Sequence, residues 1–204
     1  MPNHVTNEVT GPSAVLDALT RPYTYAERRA HEEDQEHAKA FWKEQGRPEM
    51  FTPRPLSEDA RVVDFGILAP EPENIEVGGC SGRHEPGVVC WYEWHTSHWG
   101  TKWNGYSLTV TRLDDGNVRL RFQTAWSHPV PIMAALAERH PDITFEVRFA
   151  DEDLGYNLGQ YTAAGGTIVG GIAFEEGSRE ALEFASRLVW GQSYAEYRKE
   201  LDDA

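Results

Sequence analysis

YSLTVTRLDDGNVRLRFQTAW, running from Tyr106 to Trp126, is the stretch that decides the fold. Apolar and polar residues alternate over Leu108–Leu113 and again over Val118–Phe122. Asp114, Asp115, Gly116 and Asn117 lie between the two runs, and these residue types tolerate the left-handed conformations of a tight turn. The pattern predicts a β-hairpin.

Working outward from it, VTNEVT at Val5–Thr10 predicts a strand that Gly11 and Pro12 stop. A helix carrying Val15, Leu16 and Leu19 follows, with Ser13 as its expected cap. On the other side, Val130–Arg139 predicts a helix with Ser127 as cap and prolines near its start, where a missing N–H costs least. Ile143, Phe145, Val147 and Phe149 then mark one face of a strand. Tyr156–Gln160 and Thr167–Phe174 read as two more short strands, and Ser178 caps a C-terminal helix whose stripe is Leu182, Ala185, Leu188 and Val189. Strands interleaved with two helices that can cover only one sheet face imply an α+β class. The ferredoxin-like antiparallel sheet with helices on one face is the commonest such arrangement.

Two segments lie outside that pattern. Tyr25–Gln45 is rich in Ala, Glu, Arg and His with few apolar positions, which predicts a largely solvated acidic helix. RPEMFTPRPLSED after it carries three prolines and reads as an extended linker, before a strand expected over Val62–Leu68. With 204 residues, the chain is expected to form a single domain, 1–204, with an insert at 20–60 and a C-terminal extension at 167–204. Lys and Arg total 19 against 33 Asp and Glu, a net charge of -14. Such a field repels nucleic acid and favours basic protein surfaces. Mean hydropathy is -0.58, and no apolar run approaches the ~20 residues of a membrane span. The N-terminus lacks the layout of a signal peptide. A cytoplasmic protein, in the host cell if phage-encoded, is expected, with its two cysteines kept as thiols or metal ligands.

MPNHVTN at 1–7, WYEW at 91–94, WGTKWN at 99–104 and FQTAWSHP at 122–129 resemble the YubB ferredoxin-like domain family. The resemblance covers roughly 1–19 and 62–166. It implies a ferredoxin-like fold without an iron–sulfur cluster, in accessory proteins of phages and plasmids, and it supplies no catalytic residues to carry over.

Three constellations invite function. WYEWHTSHWGTKWNGYS at 91–107 is densely aromatic. Most of its tryptophans are expected in the core, with an exposed edge at Trp94, Trp99, Lys102, Trp103, Asn104 and the nearby Trp126 as a partner-binding surface. Nucleobase stacking would require aromatics on alternate strand positions with basic neighbours, and LTVTRL has none. Cys80, His84, Cys90, His95 and His98 are spaced C-x3-H-x5-C-x4-H-x2-H. That set offers zinc ligands, with Cys80, His84, His95 and His98 the more compatible four. Ser127 and His128 are adjacent, but no nucleophile elbow, H-E-x-x-H motif or P-loop surrounds them. The sequence is therefore read as a binding protein without cofactor, whose partner is a host or phage protein, as an acidic inhibitor or nucleic-acid mimic. The alternative is a zinc-dependent, hydrolase-like enzyme using the Cys/His region.

Overall fold

The computed structural model describes residues 3–76 and 87–202. In chain order the elements are β1 (His4–Gly11), α1 (Ala14–Leu19), β2 (Thr20–Pro22), α2 (Tyr25–Glu44), β3 (Arg61–Val63), β4 (Ile75–Glu76), β5 (Val89–Cys90) and α3 (Trp91–His98). There follow β6 (Tyr106–Arg112), β7 (Val118–Ala125), α4 (Val130–Arg139), β8 (Phe145–Asp151), β9 (Leu158–Ala164), β10 (Thr167–Ile172), α5 (Arg179–Trp190) and α6 (Tyr194–Asp202). One six-stranded antiparallel sheet has the order β10-β9-β8-β1-β7-β6. Strands β8, β1, β7 and β6, with α1 after β1 and α4 between β7 and β8, trace the β-α-β-β-α-β path of a ferredoxin-like fold, and β9 and β10 widen it at the β8 side.

The register sorts the side chains. Val9 lies opposite Leu120 and Val147, so these residues share a face with Phe122 and Phe145. Val15, Leu16 and Leu19 of α1 and Ile132, Met133 and Leu136 of α4 close that face into the main core. The opposite face is polar, because Glu8 lies between Arg121 and Arg148 in the ladder. Glu8 is nearly buried there, with Arg148 Nη2 3.0 Å from both carboxylate oxygens and Arg119 Nε at 3.4 Å. A buried carboxylate is tolerable only with such partners.

Helix α5 lies on this second face. Its Ala185 and Leu188 pack against Ala150, and Arg121 donates to the carbonyls of Leu188 and Val189 near the helix's C-terminal end. Ser178 caps its start as expected, accepting from the Ala181 N–H. The two other serines do not cap. Ser13 makes no side-chain cap bond. Ser127 donates its hydroxyl to the Gly100 carbonyl, and Pro129 occupies the α4 cap position. The Val62–Leu68 strand is cut short at Val63, because Asp64 accepts from the Gly66 N–H and folds Phe65–Ile67 into a 3-10 turn.

Residues 21–62 form a compact unit of their own. Thr24 and Glu27 form a reciprocal capping box at the start of α2. Arg21, paired with Glu27 at 2.7 Å, and the Thr24 N–H hold the Glu27 carboxyl down to about 2. No α2 residue is buried. Instead Arg28, His31 and Gln35, one helix face at spacings of three and four, bind the extended segment's main chain. Arg28 donates to the Ser57 and Glu58 carbonyls and His31 to that of Arg54, while Gln35 accepts the Arg54 N–H at 2.8 Å. Among the described residues no helix is long and apolar enough to cross a membrane.

Candidate functional site

Gly100 begins the site. Its φ is +75°, and a Cβ there would lie 2.5 Å from Pro131 Cδ, so only glycine allows the chain to turn this closely against α4. Thr101 then donates to the Ala125 carbonyl at 2.7 Å, which fixes the turn to the end of β7. Lys102 is thereby set between two indoles, its Nζ 4.6 Å from the ring centres of both Trp103 and Trp126. Tyr92 of α3 meets the Trp126 ring edge-on at 6.0 Å. The product is a cation flanked by aromatics, an arrangement attractive to carboxylates and to further rings.

Trp126 is 42% exposed and has φ +72°. A bulky residue in the left-handed region is a true outlier that costs roughly 1–3 kcal/mol and persists only where its surroundings enforce it. Here both main-chain polar groups are held. The Trp126 N–H donates to the Asn3 carbonyl at 3.0 Å, and its carbonyl accepts from Asn157 Nδ2 at 2.9 Å. Asn157 is itself left-handed, at φ +45°, and is steadied by Asp151. The strain presents an indole to solvent that an ordinary strand end would fold inward.

The other expected contact residues take different places. Trp99 is buried in the main core with its Nε1 donating to the Ala69 carbonyl at 2.8 Å, and its ring stacks on His95 at 4.0 Å. Trp94 packs partly buried against the core and stacks on His98 at 4.4 Å. The Asn104 side chain accepts from the N–H groups of Phe65 and Gly105, which fixes the chain locally. Of the six, Lys102, Trp103 and Trp126 come together at the surface. Tyr92, Asn3 and Asn157 complete the cluster without any signal in the spacing.

Cys80 and His84 of the expected zinc set lie outside the described residues. His95 is buried with Nδ1 donating to the Lys102 carbonyl and Nε2 bonded to the Glu71 carboxylate, so both nitrogens are engaged. The His98 Nδ1 faces the Trp94 carbonyl at 3.0 Å. Cys90 is disulfide-bonded, which removes it as a thiolate ligand. Among the described residues no three His, Cys, Asp or Glu side chains converge on one point.

Ser127 and His128 point to different partners. His128 is buried and stacked on Phe149 at 4.2 Å, with Nδ1 2.6 Å from Asn7 Oδ1 and Nε2 2.7 Å from Tyr161 Oη. Burial pushes the His128 pKa down to about 3 and that of Tyr161 up. The neutral imidazole therefore donates from Nδ1 to Asn7 and accepts the Tyr161 hydroxyl proton at Nε2. Asn7 Nδ2 donates on to Thr124 Oγ1 and the Val5 carbonyl, each at 2.9 Å. The side-chain polar atoms of His128, Asn7, Tyr161 and Thr124 all take part in this network, which suits a rigid brace beneath the Trp126 turn better than a base awaiting substrate.

A family model described as the ferredoxin-like domain in Api92-like protein matches residues 99–190. The YubB resemblance read from the sequence names a different family, and the ferredoxin-like fold is what the two share. Among solved structures, the crystal structure of a protein api92 from Yersinia pseudotuberculosis is similar at 19% identity and a TM-score of 0.38, over 46% of this chain and 33% of that one. The match thus spans about a third of that chain's length. No curated protein matches.

Proposed function

We propose that the chain is a binding module for a host or phage protein, of the phage- or plasmid-type accessory kind, with its contact surface at Lys102, Trp103 and Trp126. The observation that carries the reading is Trp126, an exposed indole kept in a left-handed conformation by bonds from both sides. Exposed Trp beside a cation is the composition of an interface hot spot, worth roughly 2 kcal/mol or more per anchor. The accessory role rests on the YubB resemblance. The net charge of -14 and the exposed Glu32, Glu33, Asp34 and Glu36 of α2 favour a basic partner surface, as an acidic inhibitor or nucleic-acid mimic would.

Capture from nuclease-treated bacterial lysate tests it. Tagged wild type is expected to enrich one protein by mass spectrometry, and Lys102→Ala/Trp126→Ala to lose at least about 90% of it at unchanged far-UV circular dichroism. Retention of the same protein by the folded double variant removes this surface from the proposal. Neutralising the four α2 acids to Gln or Asn, or raising salt well above ~0.15 M, is expected to weaken capture. Indifference to both refutes the acidic-mimic reading while leaving the tryptophan surface standing.

A further inference from the structure

From Leu154 to Phe174 the chain carries no charged side chain, although charged residues make up 25% of the whole. That stretch includes all of β9 and β10, and β10 is the last strand of the sheet. All six β10 residues are exposed, with Ile168, Val169 and Ile172 at 40%, 57% and 54%. Natural edge strands are protected by Lys, Pro or brevity, because their free N–H and C=O groups recruit other strands. The opposite edge follows that rule: β6 ends on Arg112, with Asp114 and Asp115 just beyond it. TIVGGI at β10 contains no such protection.

We infer that β10 is a homodimer interface, on which β10 of a second copy adds antiparallel and joins the two six-stranded sheets into one. Charge selects this occupant. Two molecules of net charge -14 repel wherever their charged surfaces meet, and the Leu154–Phe174 hairpin is the longest stretch over which they approach without opposing charges. A two-fold axis through β10 sets the same uncharged strand against itself. Gly170 and Gly171, opposite Thr162 and Tyr161, leave no side chains of their own between the approaching backbones. Val169 sits at the register shift between Ile168 and Gly170, so it has no ladder partner within the chain. It is the most exposed of the strand's three large apolar residues.

Sedimentation equilibrium over about a hundredfold range of micromolar concentrations tests this, since a reversible dimer must depend on concentration. Wild type is expected to shift from monomer to dimer. Val169→Lys is expected to raise the dimer dissociation constant more than about tenfold, because the new like charges face each other across the axis. Ile168→Glu is a second probe should the first fail to fold, and far-UV circular dichroism with the melting temperature checks both. A monomeric wild type throughout the range overturns the inference, including the case in which the edge takes a strand of another protein. A dimer that both folded variants preserve overturns it as well.

Discussion

Trp99→Ala is expected to lower the unfolding free energy by about 3–5 kcal/mol, the usual cost of removing a buried aromatic without collapse of the site. Trp99 meets Phe65 edge-on at 5.8 Å, stacks on His95 and donates to the Ala69 carbonyl, so its loss opens a cavity and orphans a carbonyl together. Trp99→Phe keeps most of the packing and is expected to cost less than half as much. Urea denaturation monitored by circular dichroism measures both. A cost below about 1 kcal/mol for Trp99→Ala would place this indole outside the core and return it to the surface expected from the sequence.

Acid is expected to destabilise the protein through His128. In the folded chain the imidazole stays neutral down to about pH 3, whereas the unfolded chain protonates it near 6.5. Between these values the unfolded state binds the additional proton, so stability falls as pH falls, by up to about 1.4 kcal/mol per pH unit. Above 6.5 both states are neutral and the effect vanishes. Urea unfolding at several pH values between 3 and 7 should show the slope, and His128→Gln should remove close to one proton's worth of it. Equal slopes in the two proteins would show that His128 is solvated or already protonated in the folded state. Carboxylates titrate in the lower part of this range in both proteins, so the difference between slopes is the quantity to read.

What was legible in the sequence follows the range of the interactions. The β6–β7 hairpin and α4 depend on periodicity and turn chemistry within about twenty residues, and α4 occupies Val130–Arg139 as expected. The ferredoxin-like strand order also followed, because short-range elements leave few ways to close the sheet. The site was legible only as a composition. Trp99 and Trp126 are both tryptophans near the same turn, and nothing local separates the buried one from the exposed one. The separation comes from Asn3, Asn157 and Ala69, each 30 or more positions away from its indole, and such contacts leave no periodic trace. Ser127 shows the same limit from the other direction: a cap by local rules, it is drawn 27 positions away to Gly100. His128 and Asn7, 121 positions apart, could not be joined by any motif.

The grip of α2 on the segment after it has a consequence for which substitutions each can accept. Arg28, His31 and Gln35 bond to the carbonyls of Arg54, Ser57 and Glu58 and to the Arg54 N–H, never to their side chains. The helix therefore reads the path of the segment and is blind to its spelling. Positions 54, 57 and 58 can drift through many residue types without loosening the attachment. One replacement stands apart: proline at 54, which removes the N–H that Gln35 accepts. Drift on the helix side is confined, since each of the three gripping side chains supplies a donor or acceptor that few other residues can place at the same reach. The same pair of segments thus holds one partner nearly free to vary and another nearly fixed.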